Sequence, residues 1–149
     1  MIFATSCIEN QKVVIEKPFV DLKGRYETQS SPIDATPTEL RVKITGEVKI
    51  SHLGKSTLLA FTTVNLTPPP PFNLSATSTM VAANGDEIYT EATGTLMPVG
   101  NNKREITIYH TIVGGTGRFR NAKGSLIGTG ENDVNTGLGY IDIEGEISY

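Results

Sequence analysis

Tryptophan is absent from this chain of 149 residues, cysteine occurs once and histidine twice. A lone cysteine cannot close an internal disulfide or build a zinc site, so the fold has to rest on its core rather than on cross-links. Cationic residues are outnumbered: 13 Lys and Arg against 16 Asp and Glu give a formal charge of −3. That balance lacks the basic footprint that gathers nucleic-acid phosphates, and no nucleic-acid partner is expected. No apolar run is long enough to span a bilayer, so no transmembrane segment is expected, and no long helical period is present. What is abundant is Gly, Pro and β-branched residues, with 15 glycines and eight prolines. Such a composition describes strands and turns. With 38% hydrophobic residues the chain can bury one ordinary core.

The organisation expected is an N-terminal segment over residues 1–18, flexible, followed by a single domain over 19–149. The start reads MIFATSC, small residues before Cys7 after an apolar pair. It has two readings. One is an ordinary flexible terminus with an incidental thiol, which leaves the protein cytoplasmic. The other is the tail of a lipoprotein signal, which makes Cys7 a lipid-attachment site and the protein secreted or held at the cell envelope. No charged leader and no full apolar stretch precede Cys7, which favours the first.

Alternation of period two predicts eight strands, over Phe19 to Thr28, Glu39 to Ile50, Lys55 to Leu66, Phe72 to Val81, Asp86 to Met97, Arg104 to Val113, Phe119 to Gly130 and Leu138 to Tyr149. The connections are short, which predicts antiparallel neighbours. Asn84-Gly85 is the favoured pair for a tight hairpin whose central residues take positive φ. Pro68 to Pro71 is expected to run as an extended polyproline rim, with a proline-recognition ligand as the functional alternative. Eight antiparallel strands with interior glycines fit a sheet closed on itself. The fold class expected is therefore all-β, an eight-stranded antiparallel closed barrel. Leu40, Val42, Ile44, Val48 and Ile50 should face in, against Arg41, Lys43, Glu47 and Lys49 facing out. Ile141, Ile143, Ile147 and Tyr149 should face in, against Asp142, Glu144 and Glu146.

The stretch VGGTGRFRNAKGSLIGTG, Val113 to Gly130, crowds six glycines around one phenylalanine. It lacks the following helix of a dinucleotide fingerprint and the Lys-Ser/Thr of a P-loop, so a turn leading into a glycine-punctuated strand is the physical reading. Phe119 should pin the turn to the core and the cations should lie outside. Gly114, Gly115, Thr116, Gly117, Phe119, Ala122 and Gly124 resemble the GGTG-x-F-x-x-A-x-G segment of the dirigent proteins, within the allene oxide cyclase-like superfamily of calycin-like barrels. GEVKISHLGKSTLLAFTTVNL is similar to small bacterial members of that superfamily. The resemblance implies a barrel that holds an apolar ligand inside, with no metal and no organic cofactor, and a homo-oligomer, a trimer in its best-known branches. Its activities, cyclisation or the steering of phenolic coupling, rest on cavity residues that do not align here.

Candidate site residues are therefore those whose phase points inward. His110 shares the parity of Ile106, Ile108 and Ile112, and serves either as an acid or base near neutrality or as a core histidine held by one hydrogen bond. Tyr26 and Tyr149 suit both packing and a ligand cavity, and Ser78 and Thr90 can add hydrogen bonds. His52 belongs to a surface turn, and the two histidines lack metal-ligand spacing. Two functions follow. One is a non-catalytic barrel that binds a small apolar ligand. The other is a cofactor-free cyclase, isomerase or dirigent-like steering protein. A filled interior excludes both; an open apolar pocket with two or more titratable groups favours the enzyme.

Overall fold

The computed structural model describes residues 17–149, so Cys7 and the expected flexible segment lie almost wholly outside the described residues. Eight strands follow one another: β1 (Val20–Ala35), β2 (Glu39–Ile50), β3 (Gly54–Asn65), β4 (Phe72–Val81), β5 (Glu87–Gly100), β6 (Lys103–Gly115), β7 (Lys123–Asp133) and β8 (Leu138–Ser148). Each pairs antiparallel with the next, and β8 returns to pair with β1, from Val20 opposite Ile147 to Gln29 opposite Leu138. The sheet is a closed barrel. No helix among the described residues is long and apolar enough to cross a membrane.

The inward set is the one alternation selects. Val42, Ile50, Ile143 and Ile147 are buried, Leu40, Ile44, Val48 and Ile141 half-buried, while Arg41, Lys43, Glu47 and Lys49 are exposed. The core divides along the barrel axis into two clusters. Leu22, Tyr26, Leu53, Ile88, Phe119 and Ile147 close one end, and Val64, Leu74, Ala76, Leu96 and Ile108 line the other. The closing group comes from the β6–β7 connection. Phe119 sits in a single 3₁₀ turn, Gly117–Phe119, completely buried, and its ring meets Tyr149 edge-on at 4.9 Å. Gly117 makes the turn possible: its φ is +56°, and a Cβ there would collide with the Asp86 carboxylate.

Four local expectations are corrected. β1 does not stop at Thr28 but continues through SSPID, pairing Ser30 with Ile44 and Pro32 with Val42; its register breaks between Pro32 and Asp34, where a proline without N–H is tolerated. β7 begins at Lys123 rather than Phe119, because the plug needs the intervening turn. At Asn84-Gly85 only the glycine is left-handed, at φ +91°; Gly85 N–H donates to Ala82 O at 3.0 Å, a type I turn closed by a glycine. The two-residue turn with both central residues at positive φ is Asn101-Asn102, at +54° and +60°, between β5 and β6. Pro68–Pro71 bends, with a cis Pro70–Pro71 bond, rather than running extended.

Candidate functional site

Opposite the Phe119 plug the barrel interior is open. The cavity has a volume of about 60 Å³ and walls from Val42, Val64, Ala76, Leu96, Ile108 and Ile143. That is room for roughly four to six waters, since one needs about 10–15 Å³ by this measure. Gly128 preserves part of the space, because a Cβ on it would come within 2.8 Å of both Ile108 and Ile141.

Ser78 on β4 and His110 on β6 line this cavity and are joined behind it by Thr90 on β5. The register sets Ser78 opposite Thr90, while Thr90 lies one inward step from Ala92, which faces His110. Thr90 Oγ1 is 2.5 Å from Ser78 Oγ and 2.9 Å from His110 Nδ1. If the threonine hydroxyl donates to Nδ1, then Nε2–H is a donor; if Nδ1–H donates to threonine, Nε2 is an acceptor. In both tautomers Nε2 is buried without a partner among the described residues. Burial pushes the imidazole down to about 4, so the ring is neutral at pH 7. A neutral imidazole thus lines a mostly apolar chamber, with Thr62 and Ser78 as further polar residues of its wall.

The two tyrosines lie elsewhere. Tyr26 belongs to the closed-end core, its hydroxyl 2.8 Å from Ser56 Oγ, and desolvation raises the phenol to about 12. Tyr149 packs against the same plug. Neither lines the cavity, whereas Ser78 and His110 do.

The mouth carries polar residues that the strand phases alone did not single out. Arg104, at the start of β6, lines it half-buried, and Nε donates to Asn132 Oδ1 at 3.3 Å. Asn132 Nδ2 donates to Ser30 Oγ at 3.1 Å. β7 and β1 are separated by β8, yet these side chains meet because Gly139, opposite both Asn132 and Thr28, has no Cβ to stand between them. Among the described residues no three His, Cys, Asp or Glu side chains cluster as metal ligands.

Two solved structures share this architecture across nearly the whole chain. Both are pterocarpan synthase dirigent proteins. The first superposes with a TM-score of 0.59 at 18% identity, covering 93% of this chain and 95% of its own. The second gives 0.57 at 16% identity, covering 91% and 98%. The chain has a dirigent-like barrel fold. A pyocyanin demethylase aligns less closely, with a TM-score of 0.49 at 16% identity over 86% of this chain and 99% of its own. No family model and no curated protein matches the sequence. The outer wall of the dirigent-like barrel carries a second feature, a shallow groove across β3 to β6 lined by Phe61, Thr63, Thr77, Thr93, Tyr109 and Thr111, in which Glu91 is the one charge. Phe61 and Tyr109 are 47% and 58% exposed, and Leu59, Val113 and Ile127 extend the apolar area.

Proposed function

We propose that this dirigent-like barrel is a non-catalytic binding protein that takes a small apolar molecule through its open end. The observation that carries the reading is a mostly apolar cavity lined by His110, whose buried Nε2 has no partner among the described residues. An unsatisfied buried donor or acceptor costs about 1–3 kcal/mol. A ligand hydroxyl or carbonyl recovers that cost, which supports one polar group on an otherwise apolar ligand.

The enzymatic alternative, a cofactor-free isomerase, cyclase or phenolic-steering protein, draws support from the same relay and from the titratable groups that line the cavity. Of these only His110 is in the buried interior; Arg104, Glu131 and Tyr140 are half-buried at the mouth. A general base works best with a pKa near the working pH, and desolvation has moved His110 in the wrong direction, to about 4. Binding is therefore the favoured reading.

Calorimetric titration with phenol and with toluene separates the readings, alongside native mass spectrometry of freshly purified protein for a retained ligand. Phenol should bind more tightly than toluene, and His110→Phe should abolish the preference. Failure of both compounds to bind, with no retained ligand, removes the binding role.

The exposed apolar groove supports a further reading, that copies of this chain associate through the β3–β6 face, as the resemblance to trimeric barrels implied. Charge is depleted there as at interface centres. Light scattering should give a multiple of the monomer mass, and Phe61→Glu should reduce it to the monomer. A wild-type monomer at high concentration refutes this.

A further inference from the structure

Arg104 is a cation without a counter-ion at the entrance of an apolar cavity. Among the described residues, four ion pairs occupy Arg25, Arg41, Lys103 and Arg118, with Asp142, Asp34, Glu131 and Asp86 as their partners. Arg104 has no carboxylate within ion-pair distance among the described residues. Glu131, the acidic residue that lines the mouth, is engaged by Lys103 at 3.2 Å. Arg104 is also no ordinary surface arginine. It stands in the inward phase of Ile106, Ile108 and His110, and burial lowers its affinity for its proton without any carboxylate raising it. Placing a strong cation there costs solvation, which a partner anion restores.

The side chain is held ready. Asn132 takes the Nε–H, and Asn132 is itself anchored on Ser30 across the gap left at Gly139. That relay fixes the plane of the guanidinium and leaves the Nη edge uncommitted. A planar fork of two N–H donors matches the two oxygens of a carboxylate.

We infer that Arg104 recognises a carboxylate, so that the barrel's ligand is a small amphipathic acid whose head group sits at the mouth and whose apolar body enters the cavity. The inference rests on the binding role proposed above and names the chemical class of that ligand. The cavity's capacity, a few waters' worth, sets the size of the body at a short aliphatic chain or a single ring. At about 3.4 Å per residue, the strand from Arg104 to His110 spans roughly 20 Å. A short acid held at Arg104 therefore makes the deep hydrogen bond only if it carries a second polar group, and separate substitutions can remove the two contacts.

The test uses three probes with one apolar body and three heads: hexanoate, hexanol and hexylamine, titrated calorimetrically into the full chain near pH 7. Hexanoate should bind tightest and hexylamine weakest. Arg104→Gln should weaken hexanoate by about tenfold or more, the weight of a charge-assisted hydrogen bond, and leave hexanol unchanged. Arg104→Lys, which keeps the charge and loses the fork, should fall between. Equal affinity for hexanoate and hexanol in the wild type overturns the carboxylate assignment while the binding role stands. A preference for hexanoate that survives Arg104→Gln overturns the role of Arg104. If none of the three probes binds while phenol does, the amphipathic-acid class is wrong; if phenol also fails, the binding role itself has failed. A melting temperature near that of the wild type confirms that each variant is folded.

Discussion

Replacing His110 with asparagine should change how stability depends on pH, by an amount set by the depth of its burial. In the folded barrel the imidazole titrates at about 4, against 6.5 when exposed, with desolvation as the cause. Between these values the unfolded chain holds a proton that the folded chain refuses, so stability rises with pH in that window. The contribution is complete above about pH 6.5 and is lost as pH falls towards 4, below which both states are protonated. At 1.36 kcal/mol per pH unit the loss is about 3 kcal/mol. His110→Asn keeps a polar atom near Thr90 and cannot titrate. Urea unfolding at about pH 7.5 and pH 4.5 should therefore show wild type losing roughly 2–3 kcal/mol more than the variant. Asp34 and Asp142, whose arginine partners hold them below the usual carboxylate range, lose their stabilisation at lower pH and do so equally in both proteins. Equal losses in the two proteins would refute the reasoning, because the imidazole would then be reaching water through the cavity.

Three further outcomes concern the glycine-rich stretch. Phe119→Ala should cost roughly 3–5 kcal/mol in chemical denaturation, since the ring is fully buried at the closed end. Gly124→Val should lower the melting temperature strongly, because φ is +147° and a Cβ would press on the Glu146 carbonyl; a variant with unchanged melting would disprove the close approach. Arg118→Ala should destabilise by about 1 kcal/mol, more than an exposed cation usually does: its guanidinium lies 4.5 Å over the Phe119 ring, and its Nη2 donates to His52 O at 3.1 Å.

The barrel was legible because β2 and β8 alternate cleanly, and because short connections leave antiparallel pairing as the simplest topology. The end of β1 was not. Ser30 to Asp34 has turn composition, and only its pairing with β2 reveals a strand. His110 could be placed inward by parity, but its bond to Thr90 depends on a register shift between Tyr89 and Thr90 that no local pattern encodes. Parity also treats both ends of a barrel alike. Tyr26, Tyr149 and His110 share an inward phase, yet Tyr26 and Tyr149 meet the plug while His110 meets the cavity. Arg104 shares the phase of Ile106, but parity alone does not distinguish it from the solvated arginines of other strands. Its bond to Asn132 and that residue's to Ser30 join β6, β7 and β1 over Gly139, a contact visible only in three dimensions.

Closure of β1 on β8 bears on how the chain reaches this structure. Seven of the eight seams join consecutive strands and can zip outward from short turns. The eighth must bring together groups such as Arg25 and Asp142, 117 residues apart. Loop-closure entropy grows as three-halves of RT times the logarithm of length, so this seam starts about 3 kcal/mol behind a hairpin of a few residues. It forms late, after the meander has paid that entropy down through local pairing, and until then β1 and β8 are both open edges able to capture a strand from another chain. The Arg25–Asp142 pair, exposed and therefore weak once the barrel is complete, sits on that seam with Arg25 stacked 4.0 Å over Tyr140. If that late seam is guided by charge, neutralising either residue should raise the yield of aggregate on refolding, read by light scattering, more than it lowers the stability of the finished protein.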